Sequence, residues 1–267
     1  MTLTKLNVIF NFIKGLKLAT RFGTSILIFL GEINLNQYIL SAENIQKRYG
    51  KKIILRDASI NIKQGEIYGL IGKNGSGKTT ILRIITGQIQ HYGGTVSIAE
   101  NKKISAVINA PSVFLNLSAF ENMKTQSYLL RMKSYESNEQ IKKVLDIVGL
   151  EYDNKKRVGK FSLGMTQRLK LGIALLSSPE ILILDEPTNG LDPDGIADLR
   201  KLLLHLNHTC NITILISSHI LNELEQTATC FGILHDGKIS KEITIADVKN
   251  GNTLEDLYLR HTKGGEL

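Results

Sequence analysis

Hydrophobic and polar positions along the chain change register several times, and the changes mark out elements. In residues 1–37 the polar side chains Asn7, Asn11, Lys14, Lys17 and Arg21 recur at spacings of four, three, three and four, while Leu6, Ile9, Phe10, Ile13 and Leu16 fill the opposite side. That is the pattern of a basic amphipathic helix. From Tyr38 the pattern becomes that of an alternating α/β domain. Strands are predicted at Ile39–Ile45 and Ile53–Ile62 around a turn at Gly50–Lys52. The apolar strand Glu66–Ile71 runs straight into a glycine-rich loop, and a helix is predicted over Lys78–Thr86. Gly93-Gly94 reads as a turn before strands at Thr95–Ile98 and Ile104–Ile108.

Helical periodicity takes over between Ser118 and Leu150. Ser118 with Glu121 is a capping-box signature, and Ser137 with Gln140 repeats it. Downstream, the pattern predicts a helix near Met165–Leu176, a buried strand Ile181–Leu184, a helix near Pro193–Leu206 and a strand Ile212–Ile216. A helix from about His219, a strand pair Phe231–Leu234 and Lys238–Ile243 about Asp236-Gly237, and a helical tail Leu254–Leu259 complete the reading. The class is α/β, with an inserted helical region at about 112–165.

Composition narrows the class further. The 267 residues are 42% hydrophobic and 22% charged, with 23 Gly and 4 Pro, which supplies a globular core and excludes collagen-like or disordered chains. The cysteines, Cys210 and Cys230, form neither a disulfide framework nor a zinc motif, which fits a reduced, cytoplasmic setting. The longest apolar candidate for a span, Phe22 to Gly31, is ten residues, against the roughly 18 that a bilayer requires. Net charge is +8, of which +3 falls in residues 1–37. The remainder is diffuse, so no nucleic-acid partner is expected.

The sharpest chemical signal is Gly72-x-x-x-x-Gly77-Lys78-Thr79, a P-loop, spanning Gly72, Lys73, Asn74, Gly75, Ser76, Gly77, Lys78, Thr79 and Thr80. Its glycines let successive backbone N–H groups turn inward on phosphate oxygens, and the helix that follows adds its positive end. Lys78 is placed to reach the outer phosphates, and the Thr79 hydroxyl to ligate Mg²⁺. The strand Ile181–Leu184 ends in Asp185-Glu186, at the end of an α/β strand where ligands bind. Asp185 is expected to hold Mg²⁺ through water and Glu186 to act as general base on the attacking water. ATP and Mg²⁺ are thus the expected substrate and metal.

With these residues in place the chain resembles the nucleotide-binding subunit of ATP-binding-cassette (ABC) transporters, over about Tyr38 to the C-terminus. Phe161-Ser162-Leu163-Gly164-Met165-Thr166-Gln167-Arg168 is similar to the family signature L-S-G-G-Q, with Leu163 in place of a glycine and Met165 in place of the glutamine. The resemblance implies a P-loop NTPase cassette with a mixed sheet core, an antiparallel β subdomain and an inserted helical subdomain. It implies that Ser162 and Gly164 touch the γ-phosphate bound to a partner cassette, in a nucleotide-dependent homodimer or a pairing with a similar cassette. It also implies adenine stacking on Tyr49, an interface aspartate at Asp192, and a γ-phosphate-sensing switch at His219.

One position departs from the family. Asn109 stands where the family expects a glutamine that contacts Mg²⁺ and signals to the membrane subunits, and the shorter side chain loses about 1.3–1.5 Å of reach. The string Ala110–Leu117 and Ser162-Leu163-Gly164-Met165 are similar to the bacitracin- and lantibiotic-resistance exporter branch, which tends to carry glutamate at the Asn109 position. The function implied is an ATP-hydrolysing exporter subunit, peripheral on the cytoplasmic membrane face, that drives separate transmembrane permease subunits. The alternative is a soluble ABC ATPase acting on ribosomes or DNA, against which stand the single P-loop and the lack of a long coiled-coil insert. For residues 1–37 three readings are open: a membrane-lying helix, an idle segment, or an artefact of start-site choice with translation beginning near Leu35.

Overall fold

The computed structural model describes residues 38–108, 113–249 and 253–262. The basic segment 1–37 and Asn109 lie outside the described residues. In chain order the elements are β1 (Leu40–Tyr49), β2 (Lys52–Ile62), β3 (Ile67–Ile71), α1 (Lys78–Ile85), β4 (Gly93–Ile98), β5 (Ile104–Val107), α2 (Ala119–Leu129) and α3 (Ser134–Ile147). A short 3₁₀ turn at Val158–Lys160 precedes α4 (Leu163–Leu175), β6 (Ile181–Asp185), α5 (Pro193–His208), β7 (Thr213–Ser218) and α6 (Leu221–Glu225). The order closes with β8 (Cys230–His235), β9 (Lys238–Thr244), α7 (Ile245–Lys249) and α8 (Leu254–Thr262).

The nine described strands run in the order β4-β1-β2-β9-β8-β3-β7-β6-β5. One half is parallel: β3 pairs with β7 and β8, and β6 with β5 and β7. The other half, β4-β1-β2, is antiparallel and joins through a single parallel pairing of Asp57 with Lys238. The apolar runs of β3, β6 and β7 follow from this placement, because a parallel strand covered on both faces has no polar side. In β6, Leu182 and Leu184 enter one core with Ile214 and Ile216, whereas Ile181 and Ile183 enter the other with Leu215. The first core packs against α4, α5 and the α2–α3 pair, the second against α1 and the antiparallel strands. Functional loops therefore gather at the carboxyl ends of β3, β6 and β7, on a scaffold buried on both sides.

Three local expectations are corrected. Gly93 and Gly94 belong to β4 rather than to a turn: Gly93 pairs with Gln46, and Gly94 sits at φ +93 where the register slips between Glu43 and Gln46. A side chain on Gly94 would run into the carbonyls of Glu43 and Asn44, so the pair forms a bulge. Ser137 does not cap α3. The helix begins at Ser134, and the Ser137 hydroxyl turns back to donate to the Ser134 carbonyl at 2.9 Å. The helix expected from His219 starts at Leu221, because β7 carries on through Ser218. The capping box at Ser118 and Glu121 is present with both of its hydrogen bonds.

Candidate active site: a phosphate cradle facing two strand-end carboxylates

The cradle forms where β3 ends. Gly75 and Gly77 adopt left-handed φ values of +81 and +110, conformations that cost glycine little. A Cβ on Gly72 would come within 2.8 Å of the Leu234 backbone carbonyl, so that position too requires glycine. Gly77 caps α1 without any side-chain bond, which leaves the positive end of the helix open to the loop. Lys78 is 4% exposed, and its ammonium donates to the carbonyls of Gly72 at 2.7 Å and Lys73 at 3.3 Å. It also pairs with Glu186 Oε1 at 3.0 Å.

Opposite stand the two carboxylates at the end of β6. Asp185 Oδ2 accepts from Thr79 Oγ1 at 2.7 Å, and its Oδ1 accepts from Ser217 Oγ at 2.7 Å. Glu186 takes the left-handed conformation, φ +47, which turns it off the strand. Its Oε2 meets His219 Nδ1 at 2.6 Å and the Asn189 amide at 2.7 Å. Burial by itself would raise the Glu186 pKa. The hydrogen bonds from Lys78, Asn189 and His219, with the Lys78 charge, outweigh it and hold the carboxyl below its ordinary range.

The structure thus brings Lys78, Thr79, Asp185, Glu186 and His219 together. Asn74, Thr79, Asp185, Glu186 and Asn189 border one open cavity of about 390 Å³, with Leu163 on its rim. Ser162, Leu163, Gly164 and Met165 share a separate cleft of about 770 Å³ with Asp192. There Ser162 caps α4 by accepting the Met165 N–H at 3.2 Å, and Asp192 caps α5 by accepting the Gly195 N–H at 3.0 Å. Tyr49 borders neither cavity. It is half exposed, with Lys47 Nζ 5.0 Å from its ring centroid. Sequence reasoning passed over Ser217 and Asn189; a hydroxyl closing a buried apolar strand two residues before His219 was the available signal for the first.

The donor set fits a nucleotide and a hard divalent cation. The Ser76 hydroxyl is buried without a hydrogen-bond partner, as expected of a loop shaped around an anion. Thr79 and Asp185 offer oxygen donors only, in a pair too small to cage an ion. That suits Mg²⁺, which is held by one or two protein oxygens with substrate phosphates and water. Among the described residues no group of three or more His, Cys, Asp or Glu forms a candidate metal cluster.

Comparison with known proteins agrees with this chemistry. Residues 55–189 match the family described as ABC transporter. The bacitracin transport ATP-binding protein BcrA of Bacillus licheniformis is 44% identical over 224 residues, covering 80% of this chain and 72% of that protein. The lantibiotic transport ATP-binding protein SrtF of Streptococcus pyogenes is 41% identical over 227 residues, covering 82% and 96%. A solved dimeric ATP-binding cassette in a post-hydrolysis state, bound to ADP and phosphate, superposes with a TM-score of 0.68 at 26% identity, covering 77% of this chain and 98% of that one. With the cradle, the strand-end carboxylates and these relatives in agreement, the chain belongs to the ABC transporter family, as an ATP-binding subunit that hydrolyses ATP.

Proposed function

We propose that this subunit powers export of a peptide antibiotic of the bacitracin or lantibiotic kind through separate transmembrane subunits, from the cytoplasmic face of the membrane. The observation that carries this reading is the identity of 44% and 41% to two ATP-binding proteins named for such transport. Among the described residues no helix is long and apolar enough to cross a membrane, and in this reading separate transmembrane subunits supply the path for cargo. The helical insert offers them a surface: Phe114, Leu115, Tyr128, Leu129 and Leu130 are exposed apolar side chains on and beside α2.

In this reading the loop Gly72–Thr80 wraps the phosphates, and Tyr49 stacks on adenine. Lys78 exchanges its carbonyls and Glu186 for phosphate oxygens, because a dianionic phosphate competes well for a buried ammonium. That exchange strips Glu186 of its strongest cation, raises its basicity, and leaves it to take a proton from the water that attacks the γ-phosphorus as the bond from that phosphorus to the departing ADP oxygen breaks. His219 keeps the carboxylate oriented and contacts the γ-phosphate. Thr79 and Asp185, the latter through water, are the residues that would hold Mg²⁺, with Asn109 as a further oxygen donor and the link to the permease. The metal supplies charge neutralisation on the phosphate oxygens. Ser162, Leu163, Gly164 and Met165 close the partner's site, and Asp192 lies at the seam between two cassettes. The functional cassette is assigned to residues 38–267, with the permease face in the helical part at about 112–165.

Purification of the tagged, full-length chain from detergent-solubilised membranes tests the transporter reading. Hydrophobic polypeptides with membrane spans are expected to co-purify in fixed stoichiometry. Recovery of ribosomal RNA or DNA without such polypeptides would contradict it.

A further inference from the structure

We propose that Ser217 is a positioning residue of the hydrolytic site, whose single hydroxyl fixes the Asp185 carboxylate and the Glu186 backbone relative to one another. The inference rests on the roles given above to Asp185 and Glu186. Ser217 is fully buried in β7, in register with Asp185 of β6. A hydroxyl has one proton to give and lone pairs to accept with, and here both capacities are used. Ser217 Oγ donates to Asp185 Oδ1 at 2.7 Å and accepts the Glu186 N–H at 3.0 Å.

Each bond has a consequence. The second oxygen of Asp185 is held from the P-loop side by Thr79, so the carboxylate is clamped between β7 and α1, and its plane is set by both. Without the Ser217 hydroxyl, Oδ1 loses its partner and the group can rotate about the one remaining bond. Glu186 occupies a left-handed conformation that a non-glycine residue adopts only when its surroundings enforce it. The Glu186 N–H is shared between the Ser217 hydroxyl and the Ser217 carbonyl, the latter at 3.1 Å. The carbonyl bond survives removal of the hydroxyl, so the loop keeps its path while losing its fine orientation. That loop aims the Glu186 carboxylate at Lys78 and His219. One buried hydroxyl therefore serves both the group that would hold the metal and the group that takes the proton, without touching substrate.

The test measures steady-state ATPase and calorimetric affinity for ADP, with and without Mg²⁺, on full-length Ser217→Ala, Ser217→Thr and Glu186→Gln. Ser217→Ala is expected to lower kcat by about 10–100-fold, the cost of a small misplacement of catalytic groups. Its affinity for metal-free ADP should stay within about twofold of the parent, while the tightening that Mg²⁺ brings is largely lost. Ser217→Thr keeps the hydroxyl and should restore both kcat and the Mg²⁺ effect. Ser217→Cys, of similar volume but a weaker donor, replaces Ser217→Ala in the same comparison if the alanine variant does not fold. The inference is overturned if the variant lacking the hydroxyl retains both quantities, or if a folded Ser217→Thr is as impaired as Ser217→Ala. Glu186→Gln separates the two levels: near-parental turnover in that variant rejects the reading of Glu186 itself, whereas its inactivity beside a normal Ser217→Ala rejects only the role of Ser217.

Discussion

Replacing Glu186 with glutamine is expected to slow ATP turnover by about 10²–10⁴-fold, the usual cost of losing a general base. The substitution keeps the size of the side chain and one acceptor oxygen, so contacts with His219 or Asn189 persist in part. It removes the negative charge that pairs with Lys78 at 3.0 Å. ATP binding should therefore survive or tighten, because the ammonium no longer has to leave a carboxylate to reach phosphate. A long-lived ATP-bound dimer should follow, visible as a shift in gel filtration that ADP does not produce. Turnover close to that of the parent would show that another group accepts the proton.

Lys78→Ala is expected to fail one step earlier. The ammonium is buried and makes three contacts, two of them to the carbonyls that shape the loop. Losing a charge-assisted contact to phosphate weakens ATP binding by about 10–100-fold, taking roughly 1.5–3 kcal/mol for hydrogen bonds to charged groups. The substitution also strands the partly buried Glu186 carboxylate, which then keeps only Asn189 and His219. Its pKa should rise from its depressed position, because the Lys78 bond and charge are among the causes that lower it. Equilibrium binding of a fluorescent ATP analogue reads the first effect, and parental affinity in the variant would exclude Lys78 from the phosphate site.

The parts of this site that the sequence made legible are those written in a short run of residues. Gly72–Thr80 announces a phosphate cradle because loop, lysine and hydroxyl follow one another within a single turn. Asp185 and Glu186 were legible because a short, β-branched apolar run, Ile181–Leu184, reads as a strand buried on both faces, and its polar exit then faces the ligand. His219 stands just past the exit of β7, with Nδ1 2.6 Å from Glu186 Oε2, although β7 continues to Ser218 and the helix starts later than the pattern suggests. What stayed hidden depends on pairing across the sheet. The contacts of Ser217 follow from the register of β6 with β7, and that of Asn189 from the left-handed turn at Glu186. Neither quantity is written in periodicity. Gly93 and Gly94 misled in the opposite direction, since a glycine pair serves a bulge as well as a turn until the partner strand is known. Ser137 shows that a capping spacing inside a helix carries no information about where that helix starts.

In the function proposed above, the cradle of one subunit is completed by Ser162–Met165 of another, and mixing two inactive variants tests this most directly. Lys78→Ala disables a subunit's own cradle, and Ser162→Glu sets a carboxylate against the phosphate its signature would touch. In a mixed dimer one composite site carries both defects and the other carries neither. Random pairing of equal amounts makes about half of the dimers mixed, each with one intact site of two, so about a quarter of the parental ATPase should return. If the signature served its own subunit's cradle, every site in the mixture would carry one defect, and the mixture would remain as inactive as either variant alone.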